Sequence, residues 1–532
     1  MNGNGHNHHD DASNGYHHTN GNGSLHRKQT VAVVGTGVAG LTAAYLLSSE
    51  YAVTVFECAE TLGMDSASKT FAGARMDVPL RTFSTDYYPN LTALYKRIGV
   101  EFSHANYEFA CFREGEDTPY FSYFNFYRNE LLKRMFGYDV VSLPRLLSWN
   151  PVSVARYFSM LSEYYFFQKR GPLDLANGSL VNKTFQEYVL ANHSRQFYEE
   201  LLLPMLSVIC TCSWEAVGNY PAEIIVDYLA GRSRDHPMGS TTMRATSGTT
   251  ETVKRLAASF DRVLTSTRVV RVLPANKQGG RSPSVTYLHN GVERTESFDH
   301  VIMATQANAA VKILQASPEH VKALSGVKYE KSRTILHTDT GMVAKNFKGT
   351  CSLTVKAGQS DCTIWMNRID PLLAKELNTS VFQTWNPLEE PRTTPVVDVI
   401  FDRPIMTLDS MANLDLLASV NGKDNVWFVG AYSLYSMPLL ENGARSAIRV
   451  ANKLLVNKYP ELGVQLSGES FAKRRPDLVD PELATAPLKR KRSRAAMAVD
   501  GIVLSSYLAV IVGAASLIAV PLMRTLNRPT LA

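Results

Sequence analysis

Gly35, Gly37 and Gly40 stand in a G-x-G-x-x-G spacing between an apolar run and an amphipathic one, a spacing suited to holding a pyrophosphate. Gly35 permits the tight turn, Gly37 lets the backbone approach the phosphates, and Gly40 allows a helix to pack closely on a strand. Val38 and Ala39 open that helix, whose free amides and positive dipole end face an anion. Glu57 ends a second apolar run, residues 52–56 (AVTVF), and is placed to accept ribose hydroxyls. Its charge repels a 2′-phosphate, which disfavours NADP. The motif does not separate FAD from NAD.

A second segment has the same character. Residues 426–431 (VWFVGA) read as a buried strand with Gly430 and Ala431 at its C-terminal end, where open α/β sheets bind ligands. The helix that follows is expected to take Asn442 as its N-cap, with Gly443 allowing close backbone approach. Other candidates lie between these segments. His337 and Asp339, read as i and i+2 on a strand, share a face and form a candidate proton-transfer pair. Asn367 and Arg368 follow Trp365 on a predicted strand, where Trp365 and Asn367 share one face and Arg368 takes the other. His337, Asn367 and Arg368 are the candidates for catalytic roles, and the catalytic residues are otherwise open. Cys210 and Cys212 lack the usual C-x-x-C gap and read as buried thiols near a helix end. No metal site is predicted. No G-x-S-x-G, H-E-x-x-H or P-loop motif occurs, which leaves hydrolase and kinase chemistry without support.

Positioning these groups calls for β-α-β units and an α/β fold. Residues 30–34 (TVAVV) form the first buried strand. The 532 residues suffice for two or three domains, and a composition with 45% hydrophobic residues excludes global disorder. Six scattered cysteines favour a reducing compartment. Residues 104–200 are rich in Tyr and Phe, which fits both an aromatic helical core or membrane-facing subdomain and an apolar tunnel for a lipid or terpenoid chain.

The net charge of +6 resides in the last 44 residues, where Lys489, Arg490, Lys491, Arg492, Arg494, Arg524 and Arg528 face Asp500 alone. The body is neutral, so a nucleic-acid partner is not expected. Residues 1–26 carry six of the thirteen histidines in a low-complexity Asn/Gly/Asp context and read as a solvated tail. Residues 501–523 are 23 in number and uncharged, long enough as a helix (about 35 Å) to cross a bilayer. Together with the basic run at 489–494, they predict a single C-terminal membrane anchor with the body in the cytosol, on the endoplasmic reticulum or another organelle membrane.

The sequence resembles the flavin-dependent amine oxidase and phytoene desaturase superfamily, in particular a branch of predicted NAD/FAD-binding oxidoreductases similar to the flavoprotein part of plant cyclopropane fatty acid synthases. The resemblance covers most of residues 30–455. It rests on the glycine motif, Tyr88-Pro89-Asn90, Leu203-Pro204-Met205-Leu206 with Trp214, Ser247-Gly248-Thr249, residues 262–273 and 299–305, Leu336-His337-Thr338-Asp339, residues 363–368, and Val426–Ala431 with Glu441-Asn442-Gly443. Three places depart from the family pattern. Gly63-Met64 stands for a Gly-Gly pair, Val78-Pro79 follows Asp77 where a glycine is usual, and Asn442 replaces the acid of Glu-Asp-Gly.

The resemblance implies a Rossmann-like FAD-binding domain of two-dinucleotide-binding-domain type, with an inserted α+β substrate domain. The FAD domain would come from residues 27–100, 245–310 and 420–460, and the substrate domain from 101–244 and 311–419. A linker at 461–500 would lead to the membrane helix. FAD would meet Gly35, Gly37, Val38, Ala39, Gly40 and Glu57, with Val269 near the adenine and Gly430, Ala431, Glu441, Asn442 and Gly443 in the closing motif. The implied activity is FAD-dependent removal of hydride from a small amine or a lipid-like substrate. Two alternatives are a flavoprotein partner of a fatty-acid methyltransferase or desaturase, and a non-catalytic flavin-fold module.

Overall fold

The computed structural model describes residues 17–18, 26–84, 87–123, 151–232, 242–275, 282–314, 317–345, 347 and 349–462. The predicted tail, except 17–18 and 26, the basic run at 489–494 and the predicted membrane segment at 501–523 lie outside the described residues. Among the described residues no helix is long and apolar enough to cross a membrane.

A five-stranded parallel sheet, ordered Arg262–Leu264, Ala52–Phe56, Thr30–Val34, His300–Met303 and Val426–Phe428, forms the first layer structure. Alternation along Thr30–Val34 feeds two cores. Val31 and Val33 pack with Ile302 under the helices Val38–Leu47 and Leu440–Leu454. Ala32 and Val34 pack with Met303 and Phe428 under the helices Ala307–Ile313 and Ser410–Val420. Burial on both faces explains the unbroken apolar runs. The order of strands reverses between Thr30–Val34 and His300–Met303, which creates a switch point at their C-terminal ends.

A second sheet has seven strands: Phe121–Tyr123, Phe109–Arg113, Cys351–Lys356, Gln359–Trp365, Phe382–Trp385, Lys328–His337 and Val397–Ile405. Directly paired residues share a face. Register places Ile364, Gln383, Leu336 and Val397 on one face, and by alternation Val399, Phe401 and Arg403 with them. This inner face receives residues 77–80, because Gln383 Oε1 accepts the Leu80 amide at 2.7 Å and Gln383 Nε2 donates to the Asp77 carbonyl at 3.0 Å. Helix Leu203–Cys210 packs on the same face, with Ser207 bonded to Ser360 at 2.8 Å.

The predicted strand through 363–368 ends at Trp365. Residues Met366–Ile369 form a helical turn, started as the Met366 amide donates to Val381 at 2.9 Å, so the alternate-face reading of Asn367 and Arg368 does not hold. The aromatic-rich stretch at 157–167 lies in the helix Pro151–Ala176 and buries Tyr157, Met160 and Phe167.

Candidate functional site

The glycine loop connects Thr30–Val34 to Val38–Leu47. Gly35 has φ +95°, a conformation that only glycine adopts without strain. A Cβ on Gly40 would sit 2.0 Å from the Gly35 carbonyl oxygen, so close loop–helix packing requires glycine there. Gly37 is different: nothing lies within 4 Å of the place its Cβ would take. The protein itself does not need a glycine at Gly37, whereas a ligand pressed on the backbone would.

Glu57 is buried beside this loop. Its Oε2 accepts the Thr36 amide at 3.1 Å and the Thr36 hydroxyl, while Oε1 accepts the Ala59 amide at 3.0 Å. Thr36 Oγ1 in turn accepts the Gly63 amide at 2.5 Å. One hydroxyl therefore couples the carboxylate to both the glycine loop and the turn Gly63–Asp65. Sequence reasoning missed Thr36, although its place between the first two motif glycines is a usable signal. Val269 is buried two residues past Thr267, whose amide donates to the Glu57 carbonyl at 2.8 Å.

On the other side of the switch point, Gly430 and Ala431 follow the strand Val426–Phe428. The Gly430 amide donates to Ser446 Oγ at 2.9 Å, which ties the strand end to the closing helix. A Cβ on Gly443 would approach Val38 Cγ1 to 2.5 Å, so the starts of the two helices touch. The closing helix begins at Leu440 with Leu439 as its N-cap, and Asn442, the predicted cap, lies inside its first turn. Asn442 Nδ2 donates to the Met437 carbonyl at 2.8 Å.

Glu441 turns away from this meeting point. Its carboxylate accepts the Asn90 amide at 3.1 Å, the Asn90 side-chain amide at 2.6 Å and the Leu91 amide at 2.9 Å. Burial pushes the Glu441 carboxyl up to about 7, against the opposing pull of these donors.

Of the candidate catalytic residues, His337 ends a strand of the second sheet, and Asn367 and Arg368 lie in the helical turn after Gln359–Trp365. His337 is fully buried on the face opposite to the one that receives residues 77–80, stacked on Phe382 at 5.7 Å. Its Nδ1 accepts the Asp339 amide at 3.2 Å, which leaves Nε2 to donate to Thr384 Oγ1 at 2.8 Å. Desolvation lowers its pKa to about 4, so it is neutral at physiological pH. The Asp339 carboxylate accepts the Gly341 amide at 2.8 Å and the Arg392 amide at 2.6 Å rather than the imidazole. Asn367 spans to Thr379 and Val381 at 2.8 and 2.9 Å. Arg368 lies over Trp365 at 4.0 Å. The six cysteines are free, and Cys210 and Cys212 are both buried.

Residues 33–98 match the family model described as an NAD(P)-binding Rossmann-like domain. Over the wider chain, the structure is similar to a putative protoporphyrinogen oxidase from Exiguobacterium sp. 255-15, with TM-score 0.53 and 13% identity, covering 81% of this chain and 99% of that one. It is also similar to cyclohexylamine oxidase from Brevibacterium oxydans, with TM-score 0.52 and 13% identity over 80% and 100% of the two chains. A third likeness is to the CLA-producing fatty acid isomerase from P. acnes, at TM-score 0.51 and 13% identity over 82% and 100%.

The chain shares the fold of these enzymes.

No curated protein matches the sequence. The family resemblance of the sequence implies FAD, and the residues at the switch point fit a dinucleotide. The open Cβ position of Gly37 leaves room for a phosphate. Thr305 Oγ1, Tyr432 Oη and Asn442 Oδ1 are buried with no hydrogen-bond partner among the described residues. All three belong to segments that follow or adjoin the C-terminal strand ends, where a polar ligand would satisfy them.

Proposed function

We propose that this chain is an FAD-dependent oxidoreductase that removes hydride from a small amine or an apolar lipid or polyene substrate. The observation that carries this reading is the contact of the Gly443 helix start with Val38, beside the open Cβ position of Gly37 at the switch point, in a fold shared with oxidases. FAD supplies the two-electron chemistry when bound, and the protein supplies orientation and electrostatics. In this reading Gly35, Gly37, Val38, Ala39 and Gly40 hold the pyrophosphate. Glu57, fixed by Thr36, accepts a ribose hydroxyl, and Val269 lies by the adenine. Gly430, Ala431, Asn442 and Gly443 close the site from the other half of the sheet, with Glu441 steadying the helix beside them. His337, neutral and bonded at both nitrogens, maintains the sheet rather than moving a proton.

A second reading makes the protein a flavoprotein partner in fatty-acid modification. The apolar inner face of the second sheet and the likeness to a fatty acid isomerase favour it. In both readings residues 501–523 tether the body to a membrane from its cytosolic side, and the uncharged composition of that segment supports this.

The deciding experiment is the visible spectrum of the purified full chain after loading with FAD. Flavin bands that bleach anaerobically with amines or unsaturated lipids support the proposal and choose between its substrates. A protein that retains no flavin after loading refutes it.

A further inference from the structure

Arg403 stands on the inner face of the second sheet, near the end of its edge strand. Its cross-strand partner is Glu330, the residue expected to neutralise it. Glu330 instead gives both carboxylate oxygens to Ser213, accepting its amide at 2.8 Å and its hydroxyl at 2.9 Å. Asp402 accepts from the Asn308 side chain at 2.8 Å. Arg403 Nε is buried with no hydrogen-bond partner among the described residues, and its guanidinium lies 4.9 Å from the Phe401 ring.

A second guanidinium comes from the segment laid across the same face. Arg81 follows Leu80, which Gln383 fixes, and its Nη2 donates to the Met64 carbonyl at 2.8 Å. Arg81 Nε is also buried and unpartnered among the described residues. Asp65 pairs with Arg75 at 2.8 Å, and Asp77 accepts the Thr249 amide at 3.1 Å, so the nearest carboxylates are already engaged. Desolvation lowers the pKa of both arginines, that of Arg403 to about 10, and the like charge of Arg81 adds to the effect on Arg403. Two half-buried guanidiniums whose Nε donors are buried and unpartnered among the described residues form an incomplete arrangement.

We propose that Arg81 and Arg403 together bind the carboxylate of an organic acid whose apolar chain lies along the adjoining inner face of the second sheet. The planar forks suit a carboxylate, and their positive charge repels an ammonium group. Val397, Val399, Phe401 and Trp385 supply half-buried apolar surface on that same face. This rests on the oxidoreductase reading and sharpens it: the substrate is a carboxylic acid with an aliphatic chain, not a cationic amine.

The test uses the full-length protein with oleate, methyl oleate and putrescine as probes. Thermal stabilisation and perturbation of the flavin spectrum are the two readouts. Oleate should bind, methyl oleate should bind much more weakly, and putrescine should not bind. Arg403→Gln and Arg81→Gln should each raise the apparent Kd for oleate roughly tenfold or more while keeping the flavin. Arg403→Lys should restore part of the affinity. If flavin is bound but oleate, its ester and putrescine behave alike, the carboxylate site is wrong and the oxidoreductase reading stands. If either Gln variant folds but loses flavin, the pair serves the cofactor and the proposal is overturned. Should the protein carry no flavin, the thermal shift still decides: arginine-dependent stabilisation by oleate supports the site, and its absence rejects it.

Discussion

Glu441 holds Asn90 by two hydrogen bonds, accepting its backbone amide at 3.1 Å and its side-chain amide at 2.6 Å. With the Leu91 amide included, the start of the closing helix caps the helix Pro89–Arg97, whose own N-cap, Tyr88, makes no side-chain cap bond. Replacing Glu441 by Ala leaves buried amides without acceptors. Glu441→Ala should lose about 2–4 kcal/mol of stability in urea unfolding, and Glu441→Gln, which keeps one acceptor, should lose less.

The Thr36 hydroxyl bridges Glu57 and Gly63. Thr36→Val is close in shape but lacks the oxygen, so it orphans the Gly63 amide and frees one side of the carboxylate. A stability loss of about 1–3 kcal/mol is expected. Flavin content after gel filtration should fall more than that loss alone explains, because Glu57 is no longer aimed. Unchanged flavin content would show that Thr36 serves folding only.

Gly37 and Gly40 are predicted to separate ligand from fold. Gly37 has φ −61° and open space at its Cβ position, so Gly37→Ala should keep wild-type stability to within about 0.5 kcal/mol. It should nonetheless release the dinucleotide. Gly40→Ala drives a methyl into the Gly35 carbonyl and should destabilise the domain itself. Matched melting curves and flavin absorbance on the two variants check both halves.

Acid stability should report on His337. Its folded pKa of about 4 lies below the ordinary value of 6.5, so the native state refuses a proton that the unfolded chain accepts. The resulting stability is present above pH 6.5 and is lost as the pH falls toward 4, by at most roughly 3 kcal/mol. Burial lowers His193, His300 and His320 as well, so the comparison is with a variant. His337→Gln should flatten the dependence of unfolding free energy on pH across this window. Parallel curves for the two proteins would contradict the assignment.

Much of the nucleotide domain is legible in local sequence. Strand, glycine turn, helix, strand and acid are contiguous, and each part constrains the next. Gly430 and Gly443 are legible for the same reason. Glu441 is not, because what it does depends on the helix at 89–97, and no local pattern says which helix an acid will cap. The predicted His337–Asp339 pair fails on a similar point. The i, i+2 rule holds within a strand, but the strand ends at His337 and the Asp339 carboxylate turns to cap the following loop. Asn367 and Arg368 read as a continuation of the strand through Trp365, but the Met366 amide bonds to Val381 and curls the backbone. Arg81 and Arg403 carry no motif at all. Their interest arises only when register puts Arg403 on the face that residues 77–80 cross.

The switch point has a consequence for biosynthesis. His300–Met303 pairs directly with Thr30–Val34, and Val426–Phe428 is added beyond it. The far wall of the crevice is encoded some 400 residues after the glycine turn. Loop closure over such separations is slow. The nascent first strand therefore waits with one edge unpaired until His300–Met303, some 270 residues later, has been made, which exposes it to mispairing and calls for chaperone protection.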